Sequence, residues 1–334
     1  MLTGPEVRLA VSLDAEEEGL FAGRYAHRDP PVANTACLAR LAPLMALPLR
    51  LTLFCAYSVF DNPRARADLG AFLDKFRDGV EIGAHLHHWN TPPLPVDPPA
   101  FAADVSTAGI PENVLAAKLA NLLAAAGDFC GERPASFRMG RWDIRRTHWP
   151  LLARAGIACD ASVRPLHGPL RGPDHFAAPA GPYRIPAAGT SIFEVPLTVT
   201  PLFRFLPRLL ERLPARAPGN PALLARATLN KWGALALLPV HHPLWLMQHV
   251  TRLFVARGGT VLSLTWHSSE MMPGGAPRMS DAAAVDGLLH KIYRYIQWVY
   301  KNFSARACTM RELAAEMGPC VAEMAAPAGD WTSG

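Results

Sequence analysis

The chain has 334 residues, 50% of them hydrophobic and 18% charged, with a formal net charge of +5. So much apolar material excludes a disordered chain and is enough for a large core. The positive excess is spread over isolated arginines, among them Arg138, Arg141, Arg145, Arg146, Arg204, Arg208, Arg212 and Arg216, with no basic block interleaved with aromatics, so nucleic acid is not expected as a partner.

Taken in chain order, strand-like runs cover 7–13, 49–58, 80–84, 135–139, 157–162, 191–200 and 260–266. They are rich in Val, Ile, Leu and Phe and nearly uninterrupted, as strands buried on both faces are. Helical patterns lie between them. Asn62-Pro63 opens one over 64–77, with Leu69, Phe72, Leu73 and Phe76 on one face, and Asp78-Gly79 closes it. Pro111 starts a second, with Val114, Leu115, Leu119, Leu122 and Leu123 inward, ending near Gly131. Ser280 is the expected cap of the longest, whose stripe is Val285, Leu288, Leu289, Ile292, Ile296, Val299 and Phe303.

Strand–helix alternation argues for parallel pairing with right-handed crossovers. No Gly-x-Gly-x-x-Gly follows any strand, which removes support for a dinucleotide fold and favours a barrel. Residues 1–320 are expected to form one barrel domain, with a helical insertion at about 203–259 and a loose tail at 321–334. The insertion reads as helices packed on the barrel, a lid, or a face for a membrane or lipid-linked substrate.

Six dispersed cysteines without Cys-x-x-Cys, no secretory leader and no apolar run of the ~18 residues that a spanning helix needs point to a cytoplasmic protein with reduced thiols, membrane-peripheral at most.

Polar residues collect where the strands end. The first runs into Asp14-Ala15-Glu16-Glu17-Glu18, the third into His85-Leu86-His87-His88, the fourth into Arg138-Met139-Gly140-Arg141-Trp142; the fifth carries Asp160, and the last ends Thr265-Trp266-His267-Ser268-Ser269-Glu270. In α/β barrels the C-terminal rim carries active sites. Clustered like charges after Asp14 need something positive, a metal or Arg138. At least one of the three glutamates reads as a solvated acid at a helix start. Side-chain alternation sends His85 and His87 to one side and His88 to the other. His267 reads as catalytic, whereas His167, His175, His241 and His242 read as surface or packing residues.

The order Ser-Leu-Asp-x-Glu, Glu-Ile-Gly-x-His-x-His, Phe-Arg-x-Gly-x-Trp, Asp160 in Cys-Asp-Ala-Ser-Val, and Leu-Thr-Trp-His-Ser-Ser resembles the polysaccharide deacetylase (NodB-homology) family, carbohydrate esterase family four in the broad sense. The resemblance spans roughly residues 7 to 310 outside the insertion. It implies a distorted, incomplete (β/α)7 barrel, one divalent metal (zinc most often, cobalt or nickel in some members) and hydrolytic removal of acetyl from an N-acetylated sugar. By the resemblance Asp14 is the base, Arg138 orients it, Asp160 pairs with Arg138, and His267 is the acid. The sequence departs from the family where Ala15 replaces the usual metal aspartate and Trp89 stands where the second histidine is expected. The metal set is then Glu16, His85 and His87, with Glu17 and His88 as alternatives. The substrate is expected to be an intracellular glycan precursor or glycoconjugate. An amide hydrolase acting on a non-sugar compound, or a metal-free binding scaffold, are the other readings.

Overall fold

The computed structural model describes residues 6–168, 172–212 and 221–317; the expected tail at 321–334 lies outside them. Among the described residues there are eleven strands: β1 Glu6–Ala15, β2 Leu51–Ala56, β3 Val80–Leu86, β4 Ser136–Met139, β5 Cys159–Asp160, β6 Tyr183–Ala187, β7 Thr190–Glu194, β8 Val199–Pro201, β9 Ala234–Ala236, β10 Val261–His267 and β11 Ser304–Ala307. The main sheet runs β10-β1-β2-β3-β4-β5-β7-β6, with β11 also on β1. Every pairing from β10 to β7 is parallel, and β6 alone joins antiparallel, to β7. These seven parallel strands do not close by strand pairing. Past β7, however, Thr198 N–H donates to Ser263 O of β10 at 3.1 Å, which draws the open side together. The architecture is an incomplete (β/α) barrel.

The interior is built as the sequence reads. Leu9, Val11 and Leu13 of β1, Leu51 and Leu53 of β2, and Leu262 and Leu264 of β10 are fully buried. At about 25 cal/mol per Å² of apolar area removed from water, such runs dominate the folding energy. Helix Pro63–Phe76 is capped by Asn62, whose Oδ1 accepts from Arg64 N and Ala65 N at 3.0 and 3.1 Å. Helix Glu112–Cys130 ends at Gly131, whose φ of 82° favours a residue without Cβ.

The structure corrects several expectations. The longest helix, Ala282–Asn302, is capped by Asp281 rather than Ser280: Asp281 Oδ1 accepts from Ala284 N at 2.8 Å, while the Ser280 hydroxyl is spent on Asp281. Three strands have no counterpart in the sequence reading. β6 carries Pro186 at the sheet edge, where a missing donor costs nothing, and β9 and β11 are too short to show a period. The insertion is therefore not purely helical. β8 and β9 pair antiparallel, and helices Leu206–Glu211, Pro221–Thr228 and Leu244–Ala256 lie around them.

Candidate metal centre

Strand register assembles the site. Asp14 pairs with His267 across β1–β10, Ala56 with His85 across β2–β3, and His85 with Arg138 across β3–β4. Four chemical side chains thus leave neighbouring strands at the same C-terminal level. Asp14, Glu16, Glu17, His85, His87 and Arg138 are all buried, and His267 is only slightly open.

Glu16, His85 and His87 each bring one ligand atom to a common point, all within 4.8 Å of one another. Glu16 Oε2 lies 3.1 Å from His85 Nε2 and 3.3 Å from His87 Nε2, and the two Nε2 atoms are 3.0 Å apart. The outer ring nitrogens fix the tautomers. His85 Nδ1 faces the Arg138 carbonyl at 3.0 Å, and His87 Nδ1 faces Glu17 Oε1 at 2.9 Å. Neither partner can donate, so both Nδ1 atoms carry the hydrogen and both Nε2 lone pairs point inward. Two lone pairs and a carboxylate oxygen converging in a buried space repel one another unless a cation sits between them. This nitrogen–nitrogen–oxygen donor set suits zinc or a similar divalent ion.

The electrostatics agree. Burial disfavours charge on Glu16, yet His267, His85 and His87 hold its carboxyl well below the ordinary range. Burial likewise opposes charge on His87, but Glu17 and Glu16 raise its imidazole to about 9. Without a metal, a proton takes the cation's place.

Outer groups hold the ligands in position. Besides His87, Glu17 accepts from Trp89 Nε1 at 2.9 Å and from Ser58 Oγ at 3.2 Å. Trp89 stacks on the His87 ring with centroids 4.3 Å apart. The tryptophan that replaces the expected histidine is thus a wall for the histidine two residues earlier. Gly140 leaves room for this ring: a Cβ there would collide with His87 and stand 2.8 Å from Leu86 O. Glu16 is pinned through its backbone, its N–H donating to Ser268 Oγ at 3.2 Å and its carbonyl accepting from Asn34 Nδ2 at 3.0 Å.

Beside the cluster, Asp14 Oδ2 stands 4.0 Å from His85 Nε2 and 3.8 Å from His267 Nε2. Its Oδ1 accepts from Arg138 Nη1 at 2.5 Å. Arg138 also donates to Thr265 Oγ1, Ser12 Oγ and Ala161 O, so four of its five N–H donors hold it in one plane. Glu270 Oε2 accepts from both the backbone N–H and Nδ1 of His267, at 2.8 and 3.0 Å. Burial lowers the His267 imidazole, but the Glu270, Glu16 and Asp14 carboxylates outweigh it and raise it to about 10. Phe21 packs edge-on against His267 at 5.2 Å and is partly exposed, forming one wall of the mouth. Arg141 reaches Tyr25 OH at 2.8 Å on the rim, and both Arg141 and Trp142 adopt positive φ, 58° and 60°. Paired left-handed non-glycine residues are costly and concentrate at functional sites.

One expectation changes. Asp160 does not pair with Arg138; it accepts from Trp149 Nε1 at 2.8 Å and from the Ser162 hydroxyl, and faces Glu194 across β5–β7. Arg138 instead spends its donors on Ser12, Asp14, Thr265 and Ala161. Of the three glutamates after Asp14, Glu18 is the half-exposed one, and it lies at the start of the 3-10 helix Ala33–Leu41. Glu16 and Glu17 are buried in the cluster, and Glu18 Oε1 accepts from Asn34 N at 3.0 Å. His88 points away from the cluster, edge-on to Trp89. Trp89, Glu270 and Gly140 escaped the sequence reading as site residues, although all three lie in or beside its motifs, and Glu17, read there as an alternative ligand, sits behind His87 instead.

No family model and no curated protein matches the sequence. Solved structures do. One from Mycobacterium smegmatis, named as a polysaccharide deacetylase, is 16% identical with a TM-score of 0.59, over 98% of this chain and 99% of that one. Puue allantoinase is 13% identical with a TM-score of 0.55, over 95% of each chain. A structure from Pseudomonas aeruginosa PAO1, also named as a polysaccharide deacetylase, is 13% identical with a TM-score of 0.54, over 93% and 91%. At these identities the likeness is one of fold, and the chain has the incomplete (β/α) barrel that these proteins share.

Proposed function

We propose that the chain is a metal-dependent amide hydrolase that removes an acetyl or related acyl group from an N-acylated sugar, either a glycan precursor or a glycoconjugate. One observation carries this reading: Asp14 Oδ2 lies between the Glu16–His85–His87 cluster and His267 Nε2, within 4.0 Å of both sides. Glu16, His85 and His87 would hold the ion, most often zinc in such donor sets. A divalent cation there supplies Lewis acidity toward an amide carbonyl and a water nucleophile.

The chain's own groups move the protons. Arg138 fixes one oxygen of Asp14, which leaves the other free to take a proton from water on the cluster side. His267, held by Glu270 through Nδ1, presents Nε2 to the same space and gives its proton to the departing amine. Bond cleavage then yields a carboxylic acid and a free amine. Glu17 and Trp89 keep the His87 ring in place and exclude water behind it.

The resemblance of the motifs to deacetylases of N-acetylated sugars supports the sugar, and the fold of Puue allantoinase supports a second reading, hydrolysis of a small non-sugar amide. Acetate release from a panel of N-acetyl sugars, set against linear and cyclic amides, separates the two. Turnover of the sugars by the metal-loaded protein, lost in Asp14→Asn, supports the first. Turnover of the non-sugar amides alone rejects it.

A further inference from the structure

Of the ten large hydrophobic side chains exposed among the described residues, seven lie between Leu202 and Trp245. Besides Leu224 and Trp245, four are more than half exposed: Phe203 at 68%, Phe205 at 72%, Leu209 at 60% and Trp232 at 70%. They meet at one place. Leu202 N–H donates to Gly233 O at 2.7 Å, one step beyond the β8–β9 ladder, so Phe203 and Trp232 each adjoin a residue of that closing pair, at the end where the connecting segment leaves the two strands. Phe205 and Leu209 follow at i, i+4 spacing along helix Leu206–Glu211.

Cations share this edge. Arg204, Arg208, Arg212 and Lys231 are exposed, against the single acid Glu211. The Arg204 guanidinium lies 5.9 Å from the Phe205 ring, and Lys231 Nζ lies 5.1 Å from the Trp232 ring. Over the sequence 202–259 there are eight basic residues and one acidic, a net of +7, where the whole chain has +5. The remainder therefore carries −2. The segment's charge is therefore opposite in sign to that of the rest of the chain.

We propose that this face, the end of the β8–β9 hairpin with helix Leu206–Glu211, docks on an anionic lipid bilayer. Aromatic rings with cations beside them are suited to the headgroup layer: the rings enter the acyl boundary and the cations meet phosphate. The opposite charge of the remaining chain orients the molecule with this face down. No described helix is long and apolar enough to cross a membrane, so the contact is peripheral. The face also adjoins the site. Trp142, whose ring lies 5.0 Å from the Arg138 guanidinium, packs against Leu166, Leu197, Val199 and Ala236, a cluster that includes both hairpin strands. A lipid-linked acylated sugar would then be met at the bilayer surface. That last step rests on the proposed activity, whereas the docking itself does not.

The test is co-sedimentation of the full chain with vesicles of phosphatidylcholine and phosphatidylglycerol, and with phosphatidylcholine alone, in about 0.15 M salt. Binding to the anionic vesicles is expected, falling as salt rises. The double variant F203S/W232S and the triple variant R204E/R208E/R212E should each lose at least about tenfold in affinity, since each basic side chain near such a surface contributes about fivefold. All five side chains are exposed, so the unfolding midpoints should stay as in the wild type. D14N should bind like the wild type, which separates docking from catalysis. Wild-type protein that ignores anionic vesicles, or variants that bind as well as it does, would overturn the proposal. So would tighter binding of a DNA duplex through the same arginines, or a dimer that F203S/W232S abolishes in protein that leaves vesicles unbound.

Discussion

Nε2 of His85 and Nε2 of His87 stand 3.0 Å apart with both Nδ1 atoms already engaged, so the space between the two imidazoles has to hold a cation or a proton. Competition between the two gives the first prediction. His87 is raised to about 9 by Glu17 and Glu16 against the opposing effect of burial, so below that pH it is protonated in the metal-free protein. Metal uptake at pH 7 should therefore release about one proton per ion. Calorimetric titration with zinc in buffers of different ionisation enthalpy measures it, and an apparent enthalpy independent of buffer would contradict the protonation of His87 in the metal-free protein.

We propose that Glu17 acts on metal binding through His87, whose Nδ1 it faces at 2.9 Å, and not as a ligand. Glu17→Gln keeps the side chain's shape but removes the charge that makes His87 a better ligand. Loss of such a partner costs about 10- to 100-fold in metal affinity. Gly140→Ala should weaken the site by a different route, because its Cβ displaces the His87 ring. Competition with a metallochromic chelator checks both; affinities equal to wild type would remove these residues from the account.

Glu270 sets the range over which His267 can act as an acid. Its carboxylate is the largest of the contributions that raise His267. A group with a raised value keeps its proton until pH passes that value, and Glu270→Gln brings the value down. The alkaline limb of kcat/KM should shift to lower pH in the variant while the acid limb stays in place. An unmoved alkaline limb would show that His267 is not the proton donor.

Asp160 and Glu194 make a different prediction, about stability. Both are fully buried and face one another across β5–β7. Burial raises Glu194 well above its ordinary 4.5, and the neighbouring Asp160 adds to the effect; burial raises Asp160 as well. The folded chain thus retains a proton that the unfolded chain gives up, so stability falls as pH rises from about 4.5 toward the folded value. Glu194→Gln keeps an acceptor for Val163 N, which lies 3.0 Å from Glu194 Oε1, and removes the titration. Relative to wild type, its stability in urea unfolding should fall less as pH rises above about 4.5. Equal slopes for the two proteins would mean that the pair does not share a proton.

Much of this site can be read from the sequence, for a simple physical reason. Strand alternation alone separates His85 and His87 from His88, and the strand ends deliver Asp14, Arg138 and His267 to one rim because parallel strands share a polarity. What stays hidden depends on non-local contacts. Nothing in the order of residues says that Asp160 turns to Trp149 and Glu194 while Arg138 is filled by Ser12 and Thr265. Glu17 looks like one more acid in a charged run until the fold brings Trp89 and Ser58 to it. Ser280 and Asp281 are both good caps, and only the fold shows that Asp281 takes the Ala284 N–H.

Metal binding by Glu16, His85 and His87 underlies every proposed role at this site. The direct measurement is elemental analysis of protein purified without chelator, then reloaded with zinc, cobalt or nickel and desalted. Wild-type protein and Asp14→Asn should hold stoichiometric metal, and Glu16→Ala and His85→Ala should lose it while remaining folded. Wild-type protein that takes up no metal under any of these conditions, or Glu16→Ala that retains a full complement, would contradict the assignment.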